Sequence, residues 1–213
     1  MFSLKEIGSM ILATIILTFV VSYNSILASP QNFINIFINF IFIAIVVLSS
    51  VIAKKLVAYY YEAKIEHQIW MIQRFGIKKQ DYFKKPIPMG VIFPFILSLI
   101  SMGYIWWMAV LEFDVFSTTA RAAKRHGIYR FTEMADSHIG FIAAAGTVAS
   151  LIVAVICYIA NFPEISRLCI YYSAFSLVPY GNLDGTKIFI GSRILWISLI
   201  ILVAIFFGFT FVP

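Results

Sequence analysis

Asp184 is the first residue that demands an explanation. It lies in the stretch from Ser176 to Phe189, which interrupts a long apolar sequence with Pro179, Gly181 and Gly185 before the chain turns apolar again at Ile188. A carboxylate at the edge of an apolar segment is costly and needs a partner or a polar cavity. Ser50 and Lys54 form a second pair with chemical content. Four residues apart in a helical segment, they share a face, as a serine nucleophile and a lysine base must. That chemistry also needs an oxyanion hole and a lysine that readily gives up its proton, and no local pattern supplies either. Of the histidines, His67 follows the second apolar segment, His126 sits in a basic run, and His138 is two residues from Asp136. None has a histidine four residues away to make a helical metal pair. Asp136, His138 and Asp184 form a drawable metal set, against which polar contacts at a membrane surface are the plainer reading.

The elements that must position these residues are membrane elements. Of 213 residues, 62% are hydrophobic and only 12% charged, and the mean hydropathy is +0.93. Soluble domains are about half apolar, and here the excess comes in long runs, which points to a polytopic membrane protein. The net charge of +6 does not imply nucleic acid. The charges lie between apolar runs, where they set topology and meet anionic headgroups. The patch Arg121–Gly127 is read the same way, because no soluble domain surrounds it. Cys157 and Cys169 fall in apolar segments and read as buried thiols, not as a disulfide framework. Met1–Leu27 resembles a signal peptide, but Pro30 weakens the cleavage flank and an uncleaved first span is expected.

Six apolar segments follow from the pattern. Ile7–Leu27 and Phe33–Ala53 are the first two spans, the second continuing as a helix towards Tyr61. Ala63–Ile72 mixes charged and apolar residues and suits a strand or interfacial segment. Met89–Val110 is long enough to cross, but Pro94 and the Ser98, Ser101 and Gly103 cluster break its character. A helix-turn-helix that enters and leaves on one face is an alternative, tolerated where protein covers it. Leu111–Asp136 is polar. Ile139–Phe162 is a span that opens with small residues suited to close helix packing. Ile165–Val178 has about 14 residues and reaches about 21 Å, short of a hydrocarbon core of about 30 Å. Ile194–Val212 is the last span. If Met89–Val110 is re-entrant, every lysine and arginine except Arg167 falls on the amino-terminal side. The positive-inside rule favours that arrangement, with the amino terminus and basic loops cytoplasmic. It also brings the end of the second span and Asp184 to one membrane face. Tyr59, Tyr60, Tyr61, Trp106 and Trp107 suit interfacial belts.

With these segments in order, the chain resembles the site-2 protease family of intramembrane zinc metalloproteases over about residues 33–200. Asn182-Leu183-Asp184-Gly185, preceded by Pro179, is similar to that family's Leu-Asp-Gly motif. Gly140–Ser150 resembles its Ala-Gly-Pro segment, with Ala145 and Gly146 kept and Thr147 where proline is usual. Ser50–Ala58 resembles the segment that carries His-Glu-x-x-His, followed by a similar Lys-Leu-Val-Ala. Here Ser50 and Lys54 stand at the two histidine places and Val51 at the glutamate place. Ser150 and Ser176 stand where asparagines are common.

The resemblance implies a site-2-protease-like, all-α helical bundle: a single integral membrane domain over residues 1–213. It would have about five crossing helices, one re-entrant or sixth helix, and a small membrane-associated strand hairpin. It also implies that Asp184 is a vestigial zinc-ligand position beside Gly185. Serine is a poor zinc ligand, ammonium has no lone pair, and valine moves no proton, so no catalytic residue, metal or cofactor is expected. The expectation is a catalytically inactive relative, in contact with the lipid bilayer and binding a membrane-protein partner or transmembrane segment, with no nucleic acid. Two alternatives stay open: an intramembrane metalloprotease with an altered site, which would need zinc, and a small transport or channel subunit. So does the fate of Lys54, which either fills the place of the metal and pairs with Asp184, or snorkels to water while Asp184 accepts from the amides of Thr186 and Lys187. The oligomeric state is not expressed in the sequence.

Overall fold

A computed structural model describes residues 2–28, 33–74, 82–117 and 134–210. Residues 29–32 and the basic run 121–130, with His126 and Arg121–Gly127, lie outside the described residues, as do Lys78 and Lys79. Helices α1 (Leu4–Ala28) and α2 (Phe33–Tyr60) form an antiparallel pair, followed by strands β1 (Ala63–Ile69), β2 (Ile72–Arg74) and β3 (Tyr82–Ile87). Then come helix α3 (Met89–Ile100), strand β4 (Leu111–Ser117), and helices α4 (Asp136–Ile159), α5 (Pro163–Ser176), α6 (Asp184–Gly191) and α7 (Arg193–Phe209).

Among the described residues three helices are long and apolar enough to cross a membrane: Leu4–Ile26, Phe33–Tyr60 and Asp136–Ile159. The chain is thus a multi-helical, membrane-associated protein. The expected five crossing helices are not all of spanning length, since α5 has 14 residues and α7 has 17. On α2, Ile34, Phe37, Ile41, Ile45, Leu48 and Ile52 form an exposed stripe at helical spacing, which suits lipid. The hydroxyls of α1 are satisfied locally, Thr14 donating to the Met10 carbonyl at 2.8 Å and Thr18 to that of Thr14 at 2.7 Å. Ser22 instead reaches across to α2, accepting from Asn39 at 3.0 Å.

Helix α4 is central, touching α2, α5, α6 and α7. Its small residues make that possible. Gly140 has no same-helix glycine partner at the usual spacing but faces Gly191 of α6, where an added Cβ would stand 3.2 Å from the Gly191 Cα.

Met89–Val110 folds back on itself. Helix α3 has 12 residues, about 18 Å, and ends at a turn in which Met102 and Gly103 take positive φ. The return limb is extended, not the second helix that a helix-turn-helix would require. Trp70 ties the two ends together, its N–H donating to the Val110 carbonyl at 2.8 Å and its carbonyl accepting from Gly90 at 2.9 Å. A Cβ on Gly90 would collide with the Val110 carbonyl.

The return limb leads into β4, which pairs antiparallel with β1, setting His67 opposite Phe113 and Gln68 opposite Glu112. β2 pairs with β3 in a separate two-stranded sheet. The small strand hairpin expected from the sequence is present as β2–β3, and the β1–β4 ladder is an additional, separate pairing. The β1 partner comes from the stretch read as merely polar, although Leu111-Glu112-Phe113-Asp114-Val115 alternates apolar and polar as a half-buried strand does.

Candidate functional site

Lys54 sits on the last turns of α2, and Asp184 opens α6. Both are buried, at 1% and 3% exposure, and Lys54 Nζ donates to Asp184 Oδ2 at 2.5 Å. Of the two alternatives for Lys54, the geometry is the ion pair. Each neighbour has a reason. Gly146 on α4 leaves room: a Cβ there would collide with Lys54 Cε and stand 2.7 Å from Ser50 Oγ. Gly185 lets α6 tuck under the end of α5, where a Cβ would strike the Leu177 carbonyl and stand 2.6 Å from that of Val178. Val51 is wholly buried, and Ser50, Thr147, Ser150 and Ser176 are buried around it. Ser150 donates to the Gly146 carbonyl at 3.0 Å and Ser176 to that of Ser173 at 3.0 Å. Ala145 is half-buried, and Pro179 is exposed on the turn.

This arrangement disfavours both enzymatic readings of α2. The Lys54 ammonium faces a carboxylate, not Ser50, whose side chain hydrogen-bonds Tyr172. The donor set does not fit the zinc that the resemblance implies. A cation without a lone pair already holds one oxygen of the single carboxylate, Ser50 faces Tyr172, and Val51 offers only carbon. Among the described residues no group of three or more His, Cys, Asp or Glu is placed to hold a metal ion. His138 does not join Asp184. Its ring stacks on Tyr61 with centroids 4.6 Å apart.

A second buried ionic centre lies beside the first, and its key residue, Glu6, was not singled out from sequence. Glu6 is 1% exposed in the first turn of α1. It accepts from Lys55 Nζ at 2.6 Å and contacts His67 Nδ1 at 2.9 Å. It also accepts from the His67 backbone N–H at 3.3 Å. A carboxylate only accepts, so Nδ1 carries a proton, and in the neutral ring Nε2 is bare; Nε2 is buried with no partner among the described residues. Burial pushes the His67 imidazole below its ordinary value, against the pull of the Glu6 hydrogen bond. One signal in the sequence points to Glu6. Lys54 and Lys55 are adjacent, about 100° apart around the helix, so one acid cannot serve both.

Phe113, wholly buried on β4, joins the two centres. Its ring lies 5.9 Å from that of His67, with Lys54 Nζ 5.3 Å and Lys187 Nζ 3.8 Å from its centroid. Lys187 of α6 also donates to the Phe113 carbonyl. His67 and Phe113 are opposite each other in the ladder. One outward-facing group on each edge is therefore taken by a charged side chain, the amide of His67 by the buried Glu6 and the carbonyl of Phe113 by the half-buried Lys187. Charged residues pointing at a sheet edge block further pairing there.

Further along the ladder, Gln68 donates to Glu112 at 3.0 Å and to Asp114 at 2.8 Å. Burial pushes the Glu112 carboxyl up to about 7, with Lys187 pulling the other way. Just beyond β1, Trp70 packs edge-on against Tyr180, centroids 5.8 Å apart, and Gly181 at φ +59 leaves room beside the indole nitrogen.

The site is thus two adjacent ion pairs, Lys54–Asp184 buried and Lys55–Glu6 half-buried through its lysine, where α1, α2, α4 and α6 converge on one small sheet. Compared with models of known protein families, with curated proteins and with solved structures, the chain matches none.

Proposed function

We propose that this chain is a non-catalytic membrane scaffold, similar in plan to a site-2 protease, that binds a membrane partner or transmembrane segment. One observation carries the reading. At the place where the resemblance would put two histidines, a glutamate and a metal, Lys54 forms a buried ion pair with Asp184 at 2.5 Å, and Gly146 gives the lysine room. A lysine–carboxylate pair replaces the metal's positive charge while keeping α2 and α6 together, which preserves a scaffold without its chemistry. The proposal includes five crossings, a re-entrant α3 limb, and a cytoplasmic amino terminus. Metal analysis of purified wild-type and Asp184→Ala protein tests it, together with crosslinking in native membranes. The expected result is substoichiometric zinc in both proteins and a crosslinked membrane-protein partner. Stoichiometric zinc that disappears in Asp184→Ala would replace this reading with an altered-site metalloprotease.

A second reading, a small transport or channel subunit, draws on the Glu6–His67 contact with its bare, buried Nε2. Ionisable residues within membrane helices often mark proton or ion paths. Proton or cation flux in reconstituted vesicles that is abolished by His67→Gln would favour it over the scaffold.

A further inference from the structure

The β2–β3 hairpin stands apart from the ionic centres. Its two strands hold three basic residues, Arg74, Lys84 and Lys85, and no acid. Lys84 and Lys85 are exposed, and among the described residues neither forms an ion pair. By contrast, Lys54, Lys55 and Lys64 each hold a carboxylate, and Lys187 donates to the Phe113 carbonyl. Successive residues of a strand point to opposite faces, so the two free ammonium groups leave the ribbon on opposite sides.

The hairpin is tied to the folded-back limb at both of its roots. Ile72 pairs with Ile87 across it, and the Trp70 carbonyl accepts from Gly90 at 2.9 Å. Helix α3 follows directly. Its Gly90, Pro94 and Ser98 are buried, whereas Ile92, Phe95, Ile96, Leu99 and Ile100 are exposed, an apolar stripe at helical spacing. Phe83, one residue before the lysines, is exposed as well. Between Lys85 and Ile92 the surface therefore passes from basic to wholly apolar.

We propose that this hairpin lies in the headgroup layer and binds anionic glycerophospholipids, one phosphate at Lys84 and a second at Lys85. The proposal rests on the lipid-facing placement of α3 in the scaffold reading. Anionic lipid matches both halves of the surface, its chains meeting α3 and its phosphate an unpaired ammonium. A soluble polyanion would leave Phe83 and the α3 stripe in water. An extended peptide added to β3 is disfavoured by Pro86, which has no N–H to give, and by the two lysines beside it. The opposite directions of the lysines require separate headgroups, one on each side of the ribbon.

The test is tryptophan quenching in vesicles of equal parts phosphatidylcholine and phosphatidylglycerol, with one or the other brominated in its acyl chains. Phe83→Trp reports the lipids beside the hairpin and Phe95→Trp those beside α3, each read as the difference from wild type. Lys84→Gln/Lys85→Gln is made in the Phe83→Trp background; both positions are exposed and unpaired, so folding is not at issue. Each lysine is expected to favour an anionic over a zwitterionic headgroup about fivefold. Phosphatidylglycerol should therefore outcompete phosphatidylcholine at position 83, and the double variant should abolish that preference. Lys64→Gln in the same background removes an exposed lysine already held by Glu66 at 2.7 Å and should leave the preference unchanged. Position 95 should be quenched by both lipids. Equal quenching by the two lipids at position 83, with position 95 quenched, would overturn this proposal and leave the scaffold reading standing. A preference that survives in Lys84→Gln/Lys85→Gln would also overturn it. Absence of quenching at position 95 would overturn the lipid-facing placement of α3, and this proposal with it. A crosslink from Lys84 to an acidic protein segment in native membranes, with equal quenching by the two lipids, would assign the hairpin to a protein partner instead.

Discussion

Removing one member of the Lys54–Asp184 pair should be far more damaging than removing both. Both side chains are nearly inaccessible, and Asp184 Oδ1 already lacks a partner. Lys54→Met therefore leaves a buried carboxylate without its ammonium, and Asp184→Leu leaves a buried ammonium with no carboxylate, beside the Phe113 ring and Tyr172. Stranding one ion of a buried pair costs about 3–5 kcal/mol, whereas replacing both by apolar groups of similar size is near neutral or stabilising. The Lys54→Met/Asp184→Leu double variant should thus recover about 3 kcal/mol or more relative to the sum of the single losses, over a hundredfold in the folded-to-unfolded ratio. Gly146 supplies a second arm. Gly146→Ala pushes a methyl into Lys54 Cε and should cost about 1–3 kcal/mol in wild type, but less once Lys54→Ala has emptied that space. The assay is denaturant unfolding in mixed micelles followed by tryptophan fluorescence, with folded yield by size exclusion as a check. Additive single losses would refute the pairing. A Gly146→Ala cost that is unchanged in the Lys54→Ala background would refute the packing argument.

The remaining predictions concern the sheet and the turn beside the pair. His67 is held neutral by burial, facing Glu6, Lys54 and Asp184; its folded value is depressed, so the unfolded state binds the proton more readily. Its stabilising contribution is complete above its ordinary value of 6.5 and is lost as pH falls through the folded value, by about 1.4 kcal/mol per unit of depression. His67→Gln should flatten the fall in melting temperature between about pH 7.5 and 5.5, and an unchanged slope would contradict the assignment. Glu112 has the opposite sign: its folded carboxyl keeps a proton up to about 7 against an ordinary 4.5, so stability falls as pH rises across that interval. Glu112→Gln should raise the melting temperature at about pH 8 by a few degrees and change it little at about pH 4.5; equal effects at the two values would count against a buried, protonated Glu112. Gly185→Ala drives a methyl into the Leu177 carbonyl, a backbone neighbour that cannot swing aside, and should lower folded yield more than Gly8→Ala, where nothing lies within 4 Å.

The membrane helices were legible because their signal is local. Apolar runs of spanning length announce α1, α2 and α4 by composition, and the Ser101–Gly103 break announces the turn after α3. The requirement that Asp184 find a partner is equally local, since an isolated carboxylate in an apolar stretch is costly wherever it goes. The extended return limb was not legible, because its far end is fixed by a backbone bond from Trp70 to Val110, 40 residues apart in the chain. Nor was the β1–β4 ladder, whose strands are separated by the whole of β2, β3 and α3.

Sequence alone therefore established a basic chain with long apolar segments, the second of which is followed by two lysines, and a late turn that carries one acid. Which lysine meets which acid was decided only by tertiary structure. Lys54 reaches Asp184 across 130 residues and Lys55 reaches Glu6 across 49. Adjacent side chains on a helix point in directions about 100° apart, so the choice depends on where α1 and α6 cross α2. Gly146 and Gly140 of α4, which pack against α2 and α6 respectively, let α4 hold those two helices close enough for the Lys54–Asp184 pair.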